Sequence, residues 1–74
     1  MHNADVLHNA LLTATMMMRK GRAFKIVRYS PKQETVYYRP FFANDLTDIR
    51  TDELDHLCDD DSIQLFTTTQ LETQ

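Results

Sequence analysis

Residues 23–40 read AFKIVRYSPKQETVYYRP, and this stretch decides the fold. Apolar residues alternate with polar ones before a turn at 30–33, and β-branched and aromatic residues follow it. One strand is predicted from Arg22 or Ala23 to Tyr29 and a second from Thr35 to Arg39. Pro40 has no N–H to donate to a ladder, so it ends the second strand or marks an edge. The centre of the chain is therefore predicted to form a β-hairpin.

A helix is predicted before the hairpin and another after it. For the first helix, Asn3 is a candidate N-cap, apolar residues recur at helical spacing through Met18, and Gly21 suits a left-handed C-cap. For the second, Thr51 is a candidate N-cap, and the apolar edge is formed by Leu54, Leu57 and Cys58. A third strand is expected from Ile63 to Thr68. The predicted class is α+β: a small α-β-β-α-β domain whose three-stranded, mostly antiparallel sheet has one face covered by helix.

Alternation separates the two faces of this predicted sheet. The core face is expected to carry Phe24, Ile26, Val36, Tyr38, Ile63 and Leu65. The open face is expected to carry Lys25, Val27, Tyr29, Tyr37, Arg39 and Phe66. The open face mixes apolar, aromatic and basic groups, which is typical of a binding surface.

Size and cysteine count set the expected state of the chain. Its 74 residues form a single domain, 1–74, in which the polar tail 69–74 is expected to fray. Cys58 is the single cysteine, so no intrachain disulfide can form, and a thin core of this kind favours a homodimer. The sequence contains neither an apolar run of the ~20 residues needed to span a membrane nor the charge order of a signal peptide. A cytoplasmic location without membrane association is expected.

The charges are sorted along the chain, although the net charge is only -3. Basic residues dominate through Arg39, and acidic residues dominate beyond it. A divided charge distribution steers association with partners. Asp59, Asp60 and Asp61 follow the second predicted helix, where the helix dipole disfavours negative charge. They are interpreted either as a solubilising loop or as an electrostatic contact with a basic partner.

No pattern predicts catalysis, a metal or a cofactor. His56 and Cys58 are two apart on a helix, so their side chains diverge and can form neither a zinc pair nor a nucleophile–base pair. A calcium loop counted from Asp59 has Ile63 at its fifth position and no glycine at its sixth. A single glycine also excludes a glycine-rich phosphate loop. We therefore predict that the chain is not an enzyme.

The predicted function is that of a protein-binding modulator or inhibitor acting on a host protein, as phage and mobile-element accessory proteins do. Its expected partner-binding residues are Asp52, Asp55, Asp59, Asp60, Asp61, Tyr29, Tyr37 and Phe66. The alternative is a small nucleic-acid-binding regulator in which the hairpin neutralises phosphates through Arg22, Lys25, Arg28 and Arg39. A third interpretation is a structural oligomer subunit. The run Met16–Met18 cannot all face one core, so part of it is expected to be exposed or to contact another chain.

Overall fold

The order of strands and helices is the main difference from the expectation. The computed structural model describes residues 2–42, 44–45 and 47–67. It contains α1 (Ala4–Leu11), β1 (Met16–Arg19), β2 (Arg22–Ser30), β3 (Thr35–Pro40), β4 (Arg50–Glu53), α2 (Leu54–Cys58) and β5 (Gln64–Phe66). The five strands form one antiparallel sheet in the order β4-β3-β2-β1-β5. The α+β class is confirmed, but the predicted three strands are too few.

The first helix ends earlier than predicted. The Asn3 side chain caps it as expected, accepting hydrogen bonds from the backbone N–H groups of Asp5 and Val6. The helix stops at Leu11, and Met16–Arg19 instead form β1, which pairs with β2 on one side and β5 on the other. Methionine favours helices in isolation, but hydrogen bonds on both edges of this segment stabilise it as a strand.

A tight hairpin turn replaces the predicted helix C-cap. Lys20 and Gly21 link β1 to β2, and both have positive φ, 51° and 77°. Two central residues of this kind are typical of a type I′ turn, whose twist matches that of the flanking strands. The Lys20 N–H also donates to the Ser62 hydroxyl at 2.9 Å, which fixes the turn against the segment before β5. Gly21 was rightly expected to be left-handed, but it serves a hairpin.

This turn gives a paired prediction. Lys20→Asn should stabilise the protein by about 0.5 kcal/mol, because asparagine tolerates the left-handed conformation better than lysine. Gly21→Ala should cost about 1 kcal/mol, because an alanine there is strained by its φ although no atom lies within 4 Å of the added Cβ. Urea unfolding of both variants checks the pair. A gain from Gly21→Ala would contradict the turn.

A β-bulge in the central hairpin changes which residues share a face. Ile26 lies opposite Tyr38 and Arg28 lies opposite Tyr37, so Val27 is the extra residue. Beyond the bulge the alternation shifts by one position. Tyr29 therefore lies opposite the buried Val36 on the helix-covered face. The prediction that Tyr29 belongs to the open face is wrong.

The predicted second helix is shorter and begins later. Thr51 is not its N-cap, because it lies in β4 opposite Tyr37. Glu53 precedes α2 and makes no capping hydrogen bond through its side chain. Leu54 instead donates its backbone N–H to the carbonyl of Glu34, which attaches the start of α2 to the turn between β2 and β3.

The core lies between the two helices and one face of the sheet. Its buried residues are Leu7, Leu11, Met17, Phe24, Ile26, Val36, Tyr38, Leu54, Leu57, Cys58 and Ile63, with Leu65 half-buried against them. The predicted core face is confirmed by this set. The last strand, predicted from Ile63 to Thr68, is shorter, since β5 spans Gln64–Phe66. Thr68 and the tail 69–74 lie outside the described residues. Among the described helices, none has the length and apolar character needed to span a membrane.

Candidate functional site

The sheet face turned away from the helices, here named the open sheet face, carries residues from all five strands in rows. Residues directly opposite in antiparallel strands point to the same side. One row crosses the sheet through Phe66, Met16, Lys25 and Arg39. A second row carries Gln64, Met18 and Ala23, and a third carries Arg28, Tyr37 and Thr51. The pairing register alone thus brings basic, aromatic and apolar groups together.

The basic groups of this face have no acidic partner. Lys25 lies directly opposite Arg39, and within the described part of the chain neither forms an ion pair. Like charges placed opposite each other cost about 0.2–1 kcal/mol. The guanidinium carbon of Arg28 lies 4.6 Å from the centre of the Tyr37 ring, a cation–π contact that holds the group on this face. The face is therefore ready to receive anionic groups.

Apolar groups adjoin these cations. Phe66 is 43% exposed at the β5 edge of the Lys25 row, and the bulge leaves Val27 47% exposed. Beyond the second row, Phe42 is 85% exposed and borders a shallow groove that also involves Met18, Ala23 and Pro40. Exposed apolar side chains beside unpaired charges are typical of contact surfaces.

Arg19 binds two of the predicted partner-binding acids inside the protein. Its Nη1 donates to Asp52 at 2.7 Å and its Nε to Asp60 at 2.8 Å, and all three side chains are largely buried. Arg19 is level with Arg22 and Asp52 with Tyr29 on β2, so in a flat sheet they would lie roughly 14 Å apart across the strands and roughly 20 Å along them. The direct contact shows that the sheet curls around its core. The contacts of Arg19 with Asp52 and Asp60, named here the ion-pair network, lie across the concave side of the sheet.

Both carboxylates titrate abnormally because of these contacts. Hydrogen bonds from the Ser62 hydroxyl, then from Arg19, and from the Ser62 backbone N–H lower the pKa of Asp60 to about 2. Burial raises the pKa of Asp52, but hydrogen bonds from Arg19, the Glu53 backbone and His56 outweigh it and hold that pKa below its usual range. Asp59, Asp60 and Asp61 were expected to form a solubilising loop or a partner contact, and this expectation omits the structural contacts of Asp60.

Acid should weaken the fold through Asp60. Its folded pKa is about 2 against an ordinary value of 3.8, so its stabilising contribution is present above about pH 4 and is lost as the pH falls toward 2. Asp60→Asn should therefore be less stable than the wild type at pH 6, and the difference should shrink by pH 2.5. Urea unfolding at both pH values measures this, with Asp59→Asn as the neighbouring control. A difference independent of pH would contradict the assignment.

The other predicted residues are distributed over separate surfaces. Asp55, Asp59 and Asp61 are exposed on and after α2, away from the open sheet face. Tyr29 shares a hydrogen bond of 2.7 Å with Nδ1 of His8 in α1. Arg22 is exposed opposite Arg19, on the helix side of the register, and it also lines the groove that Phe42 borders. Their roles in binding remain predictions, but only Tyr37, Phe66, Lys25, Arg28 and Arg39 share one face.

Sequence reasoning missed two residues that organise these surfaces. Arg19 was assigned to a helix end, yet it is the centre of the ion-pair network. Met16 contributes to the open face only because it belongs to a strand. Gly21, which suits a left-handed hairpin-turn position as well as a helix C-cap, was the available signal for a strand before it, since three consecutive methionines show no alternation in the sequence.

The described side chains offer little for metal or thiol chemistry. No group of three or more His, Cys, Asp or Glu residues in this part of the chain could hold a metal ion. Burial, then the nearby Asp55, Asp59 and Glu34, raises the pKa of the Cys58 thiol. A raised pKa keeps the thiol protonated and unreactive.

Compared with protein-family models, curated proteins and solved structures, the chain shows no match.

Proposed function

We propose that this chain is a non-enzymatic protein-binding modulator that acts by covering part of a partner with its open sheet face. One observation carries the proposal: the face combines exposed Phe66 and Val27 with Lys25, Arg28 and Arg39, which form no ion pair with described residues. Hydrogen bonding within the sheet fixes the backbone beneath these groups, so only their side chains must be ordered on binding. A host protein contacted in this way fits the accessory role expected from the sequence.

The ion pairs that two acidic residues form within the protein support the open sheet face as the binding surface. Asp52 and Asp60 are bound to Arg19, so they are not free to contact a basic partner. Asp55 and Asp59 are exposed and form no ion pair within the described ranges, but no exposed apolar group of comparable size adjoins them on α2. Specific interfaces usually combine a desolvated apolar centre with charges at its rim.

Capture from a lysate of the native host tests this function. The wild type and a Lys20→Glu/Lys32→Glu control should retain the same nuclease-resistant protein, while Lys25→Glu/Arg39→Glu should lose it. The control makes the same change in charge at two exposed turn positions off the face. Equal retention by all three proteins would contradict the proposed face. Loss confined to Asp55→Asn/Asp59→Asn would move the contact to α2.

A second copy of the chain is one protein partner that could cover the exposed apolar groups. The proposed homodimer would have twice the chain mass of 8.7 kDa in light scattering at micromolar concentration. Phe66→Ser should then shift it to the monomer mass, because it removes an apolar group from the covered face. A wild-type monomer throughout this range would leave the face for a different protein.

Nucleic-acid binding is the second candidate, and the stack of Arg28 on Tyr37 favours it. An aromatic ring beside an available guanidinium is a common arrangement for contacting bases and phosphates. If three cations contact phosphates, a plot of log K against log salt concentration should have a slope of about -2 to -3. Titration of a labelled oligothymidylate at several salt concentrations tests this. The proposed function predicts no binding at physiological salt, and tight binding with that slope would reverse the ranking.

A further inference from the structure

We infer that the open sheet face binds an extended acidic segment of its partner, in which an apolar residue precedes two carboxylates at alternate positions. This inference rests on the proposed function and specifies the chemistry of the partner. Three features of the face point to it: an opposed pair of cations, an oriented guanidinium, and an apolar groove in line with both.

The first carboxylate would lie over the pair formed by Lys25 and Arg39. These like charges face each other across β2 and β3, and neither forms an ion pair with a described acid. A bound carboxylate would accept hydrogen bonds from both side chains and remove their mutual repulsion. The ligand would thus relieve an unfavourable arrangement that the free protein retains.

The second carboxylate would lie over Arg28. The Tyr37 ring holds the cation of Arg28 on this face, and the edge of the guanidinium carries its N–H donors. Within the described residues Arg28 forms neither a side-chain hydrogen bond nor an ion pair. Carboxylates bind such an edge through two parallel hydrogen bonds.

The apolar residue would occupy the groove bordered by Met18, Ala23 and Phe42. Ala23 and Lys25 are two residues apart in β2, so the groove and the cation pair lie about 6.7 Å from each other. Alternate residues of an extended peptide have the same spacing. A segment lying along β2 would therefore place residues 1, 3 and 5 of an apolar-x-acid-x-acid pattern over the groove, the pair and Arg28.

The number of charges favours a peptide over nucleic acid. Among the described residues, three cations lie on the open sheet face and Arg22 lines its groove, whereas tight binding of nucleic acid usually involves more phosphate contacts. The net charge of -3 also repels a long polyanion, while a short segment with two carboxylates meets only the local basic field. The exposed Phe42 and Phe66 would contact apolar side chains that a phosphate backbone lacks.

Fluorescence anisotropy with the labelled peptide Ser-Leu-Ser-Glu-Ser-Glu-Ser tests the inference. The wild type and Lys20→Gln/Lys32→Gln should bind it equally, and Lys25→Gln/Arg39→Gln should bind at least about tenfold more weakly, since two charge-assisted hydrogen-bond donors are lost. The same peptide with Gln for Glu, or with Ser for Leu, should also lose affinity. The Lys25→Gln/Arg39→Gln protein should melt no lower than the wild type, which excludes unfolding as the cause.

Three outcomes would overturn the inference. Equal binding of the Glu and Gln peptides would remove the carboxylates from the contact. Tighter binding of an oligothymidylate than of the peptide would assign the face to nucleic acid. If no peptide binds while capture of the host protein still depends on Lys25 and Arg39, the acidic segment is contradicted. The proposed function would then stand.

Discussion

Replacing Met17 with alanine is expected to lower the free energy of unfolding by about 3 kcal/mol. The Met17 side chain is 0% exposed and lies opposite Phe24 and Leu65 in the central part of the core. The substitution removes apolar contacts and leaves a cavity that neighbouring strands can close only in part. A domain of this size has a total stability of roughly 4–11 kcal/mol, so Met17→Ala should sharply increase the unfolded population.

Met18→Ala is the matched control for this result. Met18 is adjacent, chemically identical and half-buried on the open sheet face, so its loss should cost less than about 1 kcal/mol. Urea unfolding of the two variants gives the comparison directly. Similar losses from both would contradict the strand, since only alternation separates these neighbours so strongly.

Arg19→Gln is expected to lower the free energy of unfolding by about 2 kcal/mol. The substitution removes the donors that bind Asp52 and Asp60 and leaves two largely buried carboxylates without their cation. The network also joins β1, β4 and the segment before β5, so its loss should loosen the closure of the curled sheet. The effect should be smaller at pH 2.5 than at pH 6, because protonated carboxyl groups need no cation.

Arg22→Gln controls for the change in charge. Arg22 lies directly opposite Arg19, is exposed and forms no ion pair within the described residues. Its substitution should change stability by less than about 0.5 kcal/mol at either pH. Equal effects of the two substitutions would show that the Arg19 contacts contribute nothing beyond net charge.

Local chemistry explains which parts of the fold could be predicted from the sequence. The central hairpin was predictable because its alternation, turn and terminal proline act within neighbouring residues. The start of α1 was predictable because Asn3 caps it through nearby N–H groups. β1 was not, because Met16–Arg19 have helical preference in isolation and become a strand through pairing with two distant segments.

Strict alternation along the strands predicted most residues of the open sheet face correctly. Lys25, Tyr37, Arg39 and Phe66 lie on the open sheet face, as expected. Tyr29 does not, because the bulge at Val27 reverses the alternation and no residue type marks a bulge at that position. The ion pairs of Asp52 and Asp60 with Arg19 could not be predicted either, because they depend on the curl of the whole sheet.

Photocrosslinking in a lysate of the native host tests most directly whether the open sheet face contacts the partner. Val27→p-benzoylphenylalanine places the reactive group at the exposed bulge beside the basic residues. Asp55→p-benzoylphenylalanine places it on exposed α2, away from that face. The proposed function predicts one discrete protein adduct from position 27 and none from position 55, lost when Lys25→Glu/Arg39→Glu is added. An adduct from position 55 with none from position 27 would contradict it.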